Sequence, residues 1–275
     1  MNKKNGLMKN TLILAASMVV TKIIGALLKI PLANILGGMG MGYFSTAYSL
    51  FSPVYAFLAA GLPTVITKQV AQAAACGKFR TVRKIKRASL LISTALGIVG
   101  SVFVFAGASP FAKYIANSYE SRFAIIAIAP SVFFCCIAAV YKGYYEGLYN
   151  MVPTAISQVV ESVVKAVLGL ALSYGAIMYF QQTGKSFEES LPFGAAAAIL
   201  GVTVGEICGT LYLFLYSKLR SDGITRAELN SSPKAPRKRI IGKRLLLEAL
   251  PISIGAVVAN LSSFVDLLTL PSGIN

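Results

Sequence analysis

Residues 11–36 read TLILAASMVVTKIIGALLKIPLANIL, a stretch whose only charged residues are Lys22 and Lys29. A hydrocarbon core of about 30 Å takes roughly 20 helical residues to cross, so this one stretch is long enough to span a bilayer. Six more follow, near 43–66, 88–108, 122–140, 154–180, 193–216 and 245–270. Between them the basic residues alternate. The segments holding Lys3 to Lys9, Lys68 to Arg87, Lys142, and Lys218 to Arg244 contain 20 of the 26 Lys and Arg. The opposite set holds Lys113, Arg122 and Lys185. Cytoplasmic loops of membrane proteins carry such an excess of Lys and Arg. The expectation is an all-α, polytopic membrane helix bundle of the cytoplasmic membrane, multi-pass, with its N-terminus cytoplasmic. Residues 11–36 are too long for the apolar core of a cleaved signal peptide and carry two lysines.

Composition agrees. The chain is 56% hydrophobic and 13% charged, against about a quarter charged in soluble domains. A formal charge of +16 raises the question of nucleic acid. The positive charge, however, flanks apolar spans, where insertion and anionic headgroups account for it, and no nucleic-acid partner is expected. Histidine is absent, and Cys76, Cys135, Cys136 and Cys208 form no CxxC pair. A zinc site needs several His or Cys ligands at suitable spacing, so no metal and no cofactor is expected. Nucleophile-and-base catalysis lacks its usual histidine. Glu188-Glu189 is the only close acidic pair, read as solvated in a short outer loop. The expected class is not an enzyme.

Two outer connections, Gly37–Gly42 and Gln181–Pro192, are short enough to require antiparallel hairpins. Gly201, Gly205 and Gly209 recur every four residues, leaving a smooth face on which another helix backbone can approach. From Ser217 to Arg244 the chain turns polar and basic, with prolines at 233 and 236. The expected division is therefore a six-helix bundle over 1–216, a basic cytoplasmic linker over 217–244, and one further helix within 245–275 that opens an incomplete second bundle.

Charges inside apolar spans cost about 2.5–3.5 kcal/mol each on insertion scales, so they usually face a cavity or a partner. Lys22 and Lys29 lie two turns apart on one face, with Gly25 and Ala26 between them. They either line a water-filled cavity able to hold an anion or snorkel to the surface. Glu161 and Lys165 are, with Lys22 and Lys29, candidates for a substrate-binding cavity; standing i, i+4 in the favourable order, they alternatively neutralise each other as an intrahelical pair. Glu206 and Asp266 are lone carboxylates of the kind that bind a coupling proton or cation. Tyr141, Tyr144, Tyr145 and Tyr149 fit an interfacial aromatic anchor if their segment is helical.

Several runs carry a resemblance. They are Thr21-Lys22-Ile23-Ile24-Gly25 with Pro31, Gly37 to Tyr43 with Ala47-Tyr48, Gly61-Leu62-Pro63-Thr64 leading to Lys68, and above all Tyr141 to Gln158 continuing to Glu161. Together they resemble the stage V sporulation protein B branch of the multidrug/oligosaccharidyl-lipid/polysaccharide exporter superfamily, alongside the lipid II flippases. The resemblance implies two six-helix bundles around a cavity that opens to alternate membrane faces. It implies a cargo of lipid-linked saccharide on undecaprenyl pyrophosphate, with Lys22 at, and Lys29 near, positions that hold the pyrophosphate. Family members run to about twice this length, so the expected partners are membrane lipid and a missing C-terminal half or another chain. The alternatives are a cation-coupled multidrug antiporter of the same superfamily, resting on Glu206 and Asp266, and a non-transporting membrane fragment.

Overall fold

The computed structural model describes the backbone of residues 3–57 and 61–269, and the side chains of Met8, 10–57 and 61–258. The described residues contain helices and no strand: α1 (Lys3–Tyr55), α2 (Gly61–Ala75), α3 (Phe79–Tyr114), α4 (Arg122–Gly147), α5 (Val152–Gln182), α6 (Phe187–Leu219), the short α7 (Arg226–Ser231) and α8 (Lys238–Thr269). Among the described residues, five helices are long and apolar enough to cross a membrane. Large apolar side chains such as Val99, Phe103 and Val167 point outward, as expected where the solvent is lipid rather than water. This is an all-α polytopic membrane bundle.

The first of those helices is folded back on itself. Gly37 has φ 62° and ψ −172° inside α1, a backbone state that costs glycine little and other residues much. Lys22, Lys29 and Leu32 before it line the same cleft as Ser52, Phe44 and Met41 after it. That pairing order requires the chain to reverse at Gly37, so the turn is tighter than the expected 37–42 connection. The expected second span, 43–66, is divided between the end of α1 and the start of α2, and residues 58–60 lie outside the described residues. The basic segment from Lys68 to Arg87 is mostly helix rather than loop, broken only around Cys76–Lys78.

Helix boundaries follow local chemistry. Ser186 caps α6 by accepting from the Glu189 backbone N–H at 3.3 Å, while the Glu189 carboxylate accepts from the Ser186 N–H at 3.2 Å. Glu189 thus closes a capping box and is not merely solvated. Between α4 and α5, Tyr149 takes a positive φ of 60° and Pro153 sits in the first turn of α5, which lets the two helices follow each other through a short turn.

The stretches that carry the resemblance touch one another. A Cβ on Gly143 would meet the Pro63 carbonyl at 2.7 Å, and one on Gly147 would meet the Thr67 carbonyl at 2.8 Å. Thr67 also donates to the Gly143 carbonyl at 3.2 Å. Bare backbone at these two positions lets α4 lie directly on α2.

The tyrosine expectation fails for three of the four. Tyr141, Tyr144 and Tyr145 are buried and enclose the Lys86 ammonium, which lies 5.2, 4.5 and 5.7 Å from their ring centroids. A cation over several ring faces is attracted by their quadrupoles, and this holds the rings inward. Only Tyr149 is exposed.

The segment after α6 is bound to the bundle along its length. Asp222 pairs with Arg83 at 3.3 Å and accepts from the Tyr144 hydroxyl at 2.9 Å. While Lys86 donates to Ser217 in the last turn of α6 at 2.6 Å, the Arg80 Nε donates to the Leu229 carbonyl at 2.8 Å. Its polar composition reflects these contacts as well as exposure to water. α8 then lies against α2: Ser253 and the Ala249 carbonyl occupy the space a Cβ on Gly61 would need, and Glu248 bridges Lys68 at 3.3 Å.

Candidate functional site

The site grows from the contact of α5 with α6. A Cβ on Gly201 would collide with the Gly169 backbone, one on Gly205 would lie 2.7 Å from the Glu161 carbonyl, and one on Gly209 would lie 3.1 Å from the Ser157 carbonyl. The glycine stripe therefore has α5 as its partner. In lipid, where apolar burial drives little association, such backbone proximity is a main source of helix–helix affinity. It also fixes which α5 residues face α6, and Glu161 and Lys165 are among them.

Around that contact four charges from three helices gather. Lys142 Nζ of α4 lies 3.7 Å from Glu161 Oε2. Glu206 of α6 faces Glu161, with Lys142 and Lys165 also within electrostatic range. Lys165 turns away toward the folded-back arm of α1, its Nζ beside the Tyr48 hydroxyl and 5.8 Å from the ring centroid. The expected intrahelical pair of Glu161 with Lys165 is thus replaced by an interhelical one. The reason is reach: α4 presents an ammonium to Glu161, and the Tyr48 hydroxyl offers Lys165 a second partner. Two positive and two negative groups make the cluster formally neutral. Hydroxyl groups brace it, with Thr203 donating to the Ala127 carbonyl at 2.6 Å and Thr210 to the Phe134 carbonyl at 3.1 Å. Both tie α6 to α4 on either side of Pro130, where a missing amide weakens the helix's own ladder.

Lys142 is the residue the sequence reading placed wrongly. It counts there as a loop cation, whereas it stands inside α4 with 17% of its side chain exposed. Its proximity to the polar Tyr-Glu-Gly-Leu-Tyr-Asn run disguised it. The usable signal was that a four-residue step back from Glu146 falls within a helix able to start at Arg122.

Lys22 and Lys29 stand beside Lys165 in the structure. An open cleft of about 630 Å3 is walled by Lys22, Lys29 and Lys165, with Ser45, Ser49 and Ser52 on the returning arm. Lys22 and Lys29 are exposed, and the Ser45, Ser49 and Ser52 spacing places the hydroxyls on one helical face. Three ammonium groups around a cleft of this size can hold a phosphate-sized anion as point charges. Glu161 and Glu206 lie behind Lys165 instead of in the cleft wall. The side chain of Asp266 lies outside the described residues.

The family described as polysaccharide biosynthesis protein matches residues 7–272. Stage V sporulation protein B of Bacillus subtilis (strain 168) is 28% identical over 263 residues, covering 96% of this chain and 48% of the relative. Lipid II flippase MurJ of the same organism is 22% identical over 237 residues, covering 83% and 42%. The chain spans about half the length of the curated relatives it matches. Among solved structures, MATE in complex with Br-NRF superposes with a TM-score of 0.70 at 16% identity, covering 95% of this chain and 57% of that one. A MOP superfamily transporter from Pyrococcus furiosus superposes with a TM-score of 0.65 at 17% identity, covering 97% and 55%. These two likenesses are of fold. With its family matched almost from end to end, the chain belongs to the polysaccharide biosynthesis protein family.

Proposed function

We propose that the chain supplies the first bundle of a two-bundle flippase that moves a lipid-linked saccharide across the cytoplasmic membrane by alternating access. The observation that carries the reading is the meeting of Lys22, Lys29 and Lys165 on one open cleft. A pyrophosphate head needs cationic contacts that also let go, and lysine serves as a flexible point charge. The 48% and 42% coverage of the two curated relatives supports a division into bundle (1–216), linker (217–244) and opening helix of a second bundle (245–275). The excess of Lys and Arg supports a cytoplasmic N-terminus.

In this reading Glu206 and Glu161 serve ion coupling. They are two carboxyl groups that face each other, and a proton or cation entering between them relieves their mutual repulsion. Lys142 and Lys165 keep the cluster close to neutral, so its occupancy changes the charge behind the cleft wall.

The test is a flipping assay in vesicles with a fluorescent lipid-linked saccharide. It uses this chain alone and joined to the second half of stage V sporulation protein B of Bacillus subtilis, the half this chain does not match. Lys22→Ala, Lys29→Ala and Lys165→Ala in the joined protein should each slow flipping about ten-fold, the equivalent of one lost charged contact of roughly 1.4 kcal/mol. Full-rate flipping by all three variants would remove the cleft from the mechanism. Glu206→Gln should abolish dependence on the driving ion while leaving cargo binding in place.

A further inference from the structure

A second basic cavity, separate from the Lys22 cleft, lies where the linker meets the bundle. It measures about 460 Å3 and is lined by Arg80, Arg83, Lys84, Arg87, Lys234 and Lys238, with Leu229 and Ala235 completing its wall. No acidic side chain lines it. Of the linker acids, Asp222 pairs with Arg83 of the wall and accepts from Tyr144, and Glu228 is engaged in the capping box of α7. The wall is held in place by hydrogen bonds. The Arg80 backbone N–H donates to Ser232 Oγ at 3.1 Å, and Lys84 Nζ donates to the Ala235 carbonyl at 3.2 Å. Among the described residues, Arg87, Lys234 and Lys238 make no ion pair within 4.0 Å. Of the six cations around the cavity only Arg83 is ion-paired among the described residues, with Asp222; the other five repel each other, and an anion inside relieves that repulsion.

The position of the cavity says which kind of anion fits. Arg87 is the last charged residue before the apolar run of α3. Leu91, Ile98 and Val102 follow it at i+4, i+11 and i+15, a spacing that keeps them on one helical face. They are 63%, 51% and 60% exposed. Lys238 likewise opens α8. The cavity therefore stands at the water–lipid boundary, with an apolar track running from it into the hydrocarbon. A soluble phosphate would use the cations and leave the track unused. A phospholipid uses both.

We propose that this cavity binds the phosphate headgroup of an anionic phospholipid, whose acyl chain lies along Leu91, Ile98 and Val102. The lipid then bridges α3, the linker and the start of α8, and it tightens the attachment of the linker to the bundle. The proposal concerns a lipid that stays in its leaflet, and it stands whether or not the Lys22 cleft carries a saccharide.

The experiment is native mass spectrometry of the purified 275-residue chain, titrated with phosphatidylglycerol or phosphatidylcholine in detergent. Phosphatidylglycerol should be retained preferentially. Arg87→Gln with Lys238→Gln should weaken its retention by roughly thirty-fold, since each basic residue near an anionic surface contributes on the order of 1 kcal/mol. Lys113→Gln with Lys185→Gln should leave retention unchanged. On the unsubstituted chain, a photoreactive phosphatidylglycerol should label peptides around 87–102 and 234–238, which keeps the proposal testable should the double variant fold poorly. Equal retention of the two lipids, or labelling spread evenly over the helices, would overturn it. Complete displacement of phosphatidylglycerol by millimolar inorganic phosphate would also overturn it, by assigning the cavity to a soluble anion.

Discussion

Lys142 of α4 and Glu161 of α5 form an ion pair of 3.7 Å across the interior of the bundle, with 17% and 25% of their side chains exposed. The pair sits where α6 presents Glu206, so removing one member leaves the others with unbalanced charge. Lys142→Met should destabilise the chain by about 1–3 kcal/mol, less than the cost of stranding one partner of a fully buried pair because both side chains keep some exposure. Lys142→Met combined with Glu161→Gln should cost less than the sum of the single changes. Thermal unfolding of the four proteins in detergent measures the coupling, and simple additivity would mean that the pair contributes nothing.

The glycine stripe of α6 is expected to tolerate no side chain. Gly205→Ala pushes a methyl to within 2.7 Å of the Glu161 carbonyl, and overpacking of this kind costs about 1–3 kcal/mol. Gly175→Ala on α5 meets nothing within 4 Å and should be neutral or slightly stabilising. Comparing the two melting temperatures checks whether the α5–α6 contact or general helix propensity decides stability.

Attachment of the linker should depend on pH through Asp222. Burial alone would raise the pKa of its carboxyl, but hydrogen bonds from Tyr144 and Arg83 outweigh burial and hold it below the ordinary aspartate range. A carboxyl lowered on folding stabilises the folded form above its unfolded value and loses that contribution as pH falls through the folded one. Hydrogen exchange of residues 222–232 should therefore stay slow from neutral pH down through the ordinary aspartate range and quicken below it. Asp222→Asn should quicken exchange at neutral pH, with the difference from the parent vanishing at low pH where Asp222 is protonated, and should expose Arg226 and Lys234 to trypsin at neutral pH.

The cleft is expected to hold water. In a background of Cys76→Ser and Cys208→Ser, with Cys135 and Cys136 left in the core where they are buried, a cysteine at 22, 29 or 165 should react with a charged maleimide. A cysteine in place of Leu91 on the lipid-facing side of α3 should resist the reagent. Equal reactivity at the four positions would mean that the cleft is no more aqueous than the lipid face.

Much of this molecule is legible as a pattern of hydropathy. The apolar stretches at 88–108, 122–140, 154–180 and 193–216 appear as α3 to α6, because a chain in lipid must satisfy its backbone hydrogen bonds within each spanning helix. The smooth face at Gly201, Gly205 and Gly209 was visible too, since a four-residue repeat on a helix marks one side. Which helix would lie against it was not. Lys22 and Lys29 could be assigned to a single face from spacing alone, whereas their meeting with Lys165 depended on α1 reversing at Gly37 and on α5 lying across its two arms.

Local rules determine quantities that a residue carries along its own helix: length, face, cap and break. The order of apolar and basic segments therefore settles that this chain is a bundle of membrane-crossing helices. Pairing between helices depends on distances the chain does not encode locally. Three observations came only from packing: Glu161 turning to Lys142 instead of Lys165, three tyrosines closing around Lys86, and a polar linker bound by Arg80, Arg83 and Lys84. In each case a charged group had more than one partner within reach of its side chain. The close approach of whole backbones, set by bare glycines, decided which partner stood near enough to win.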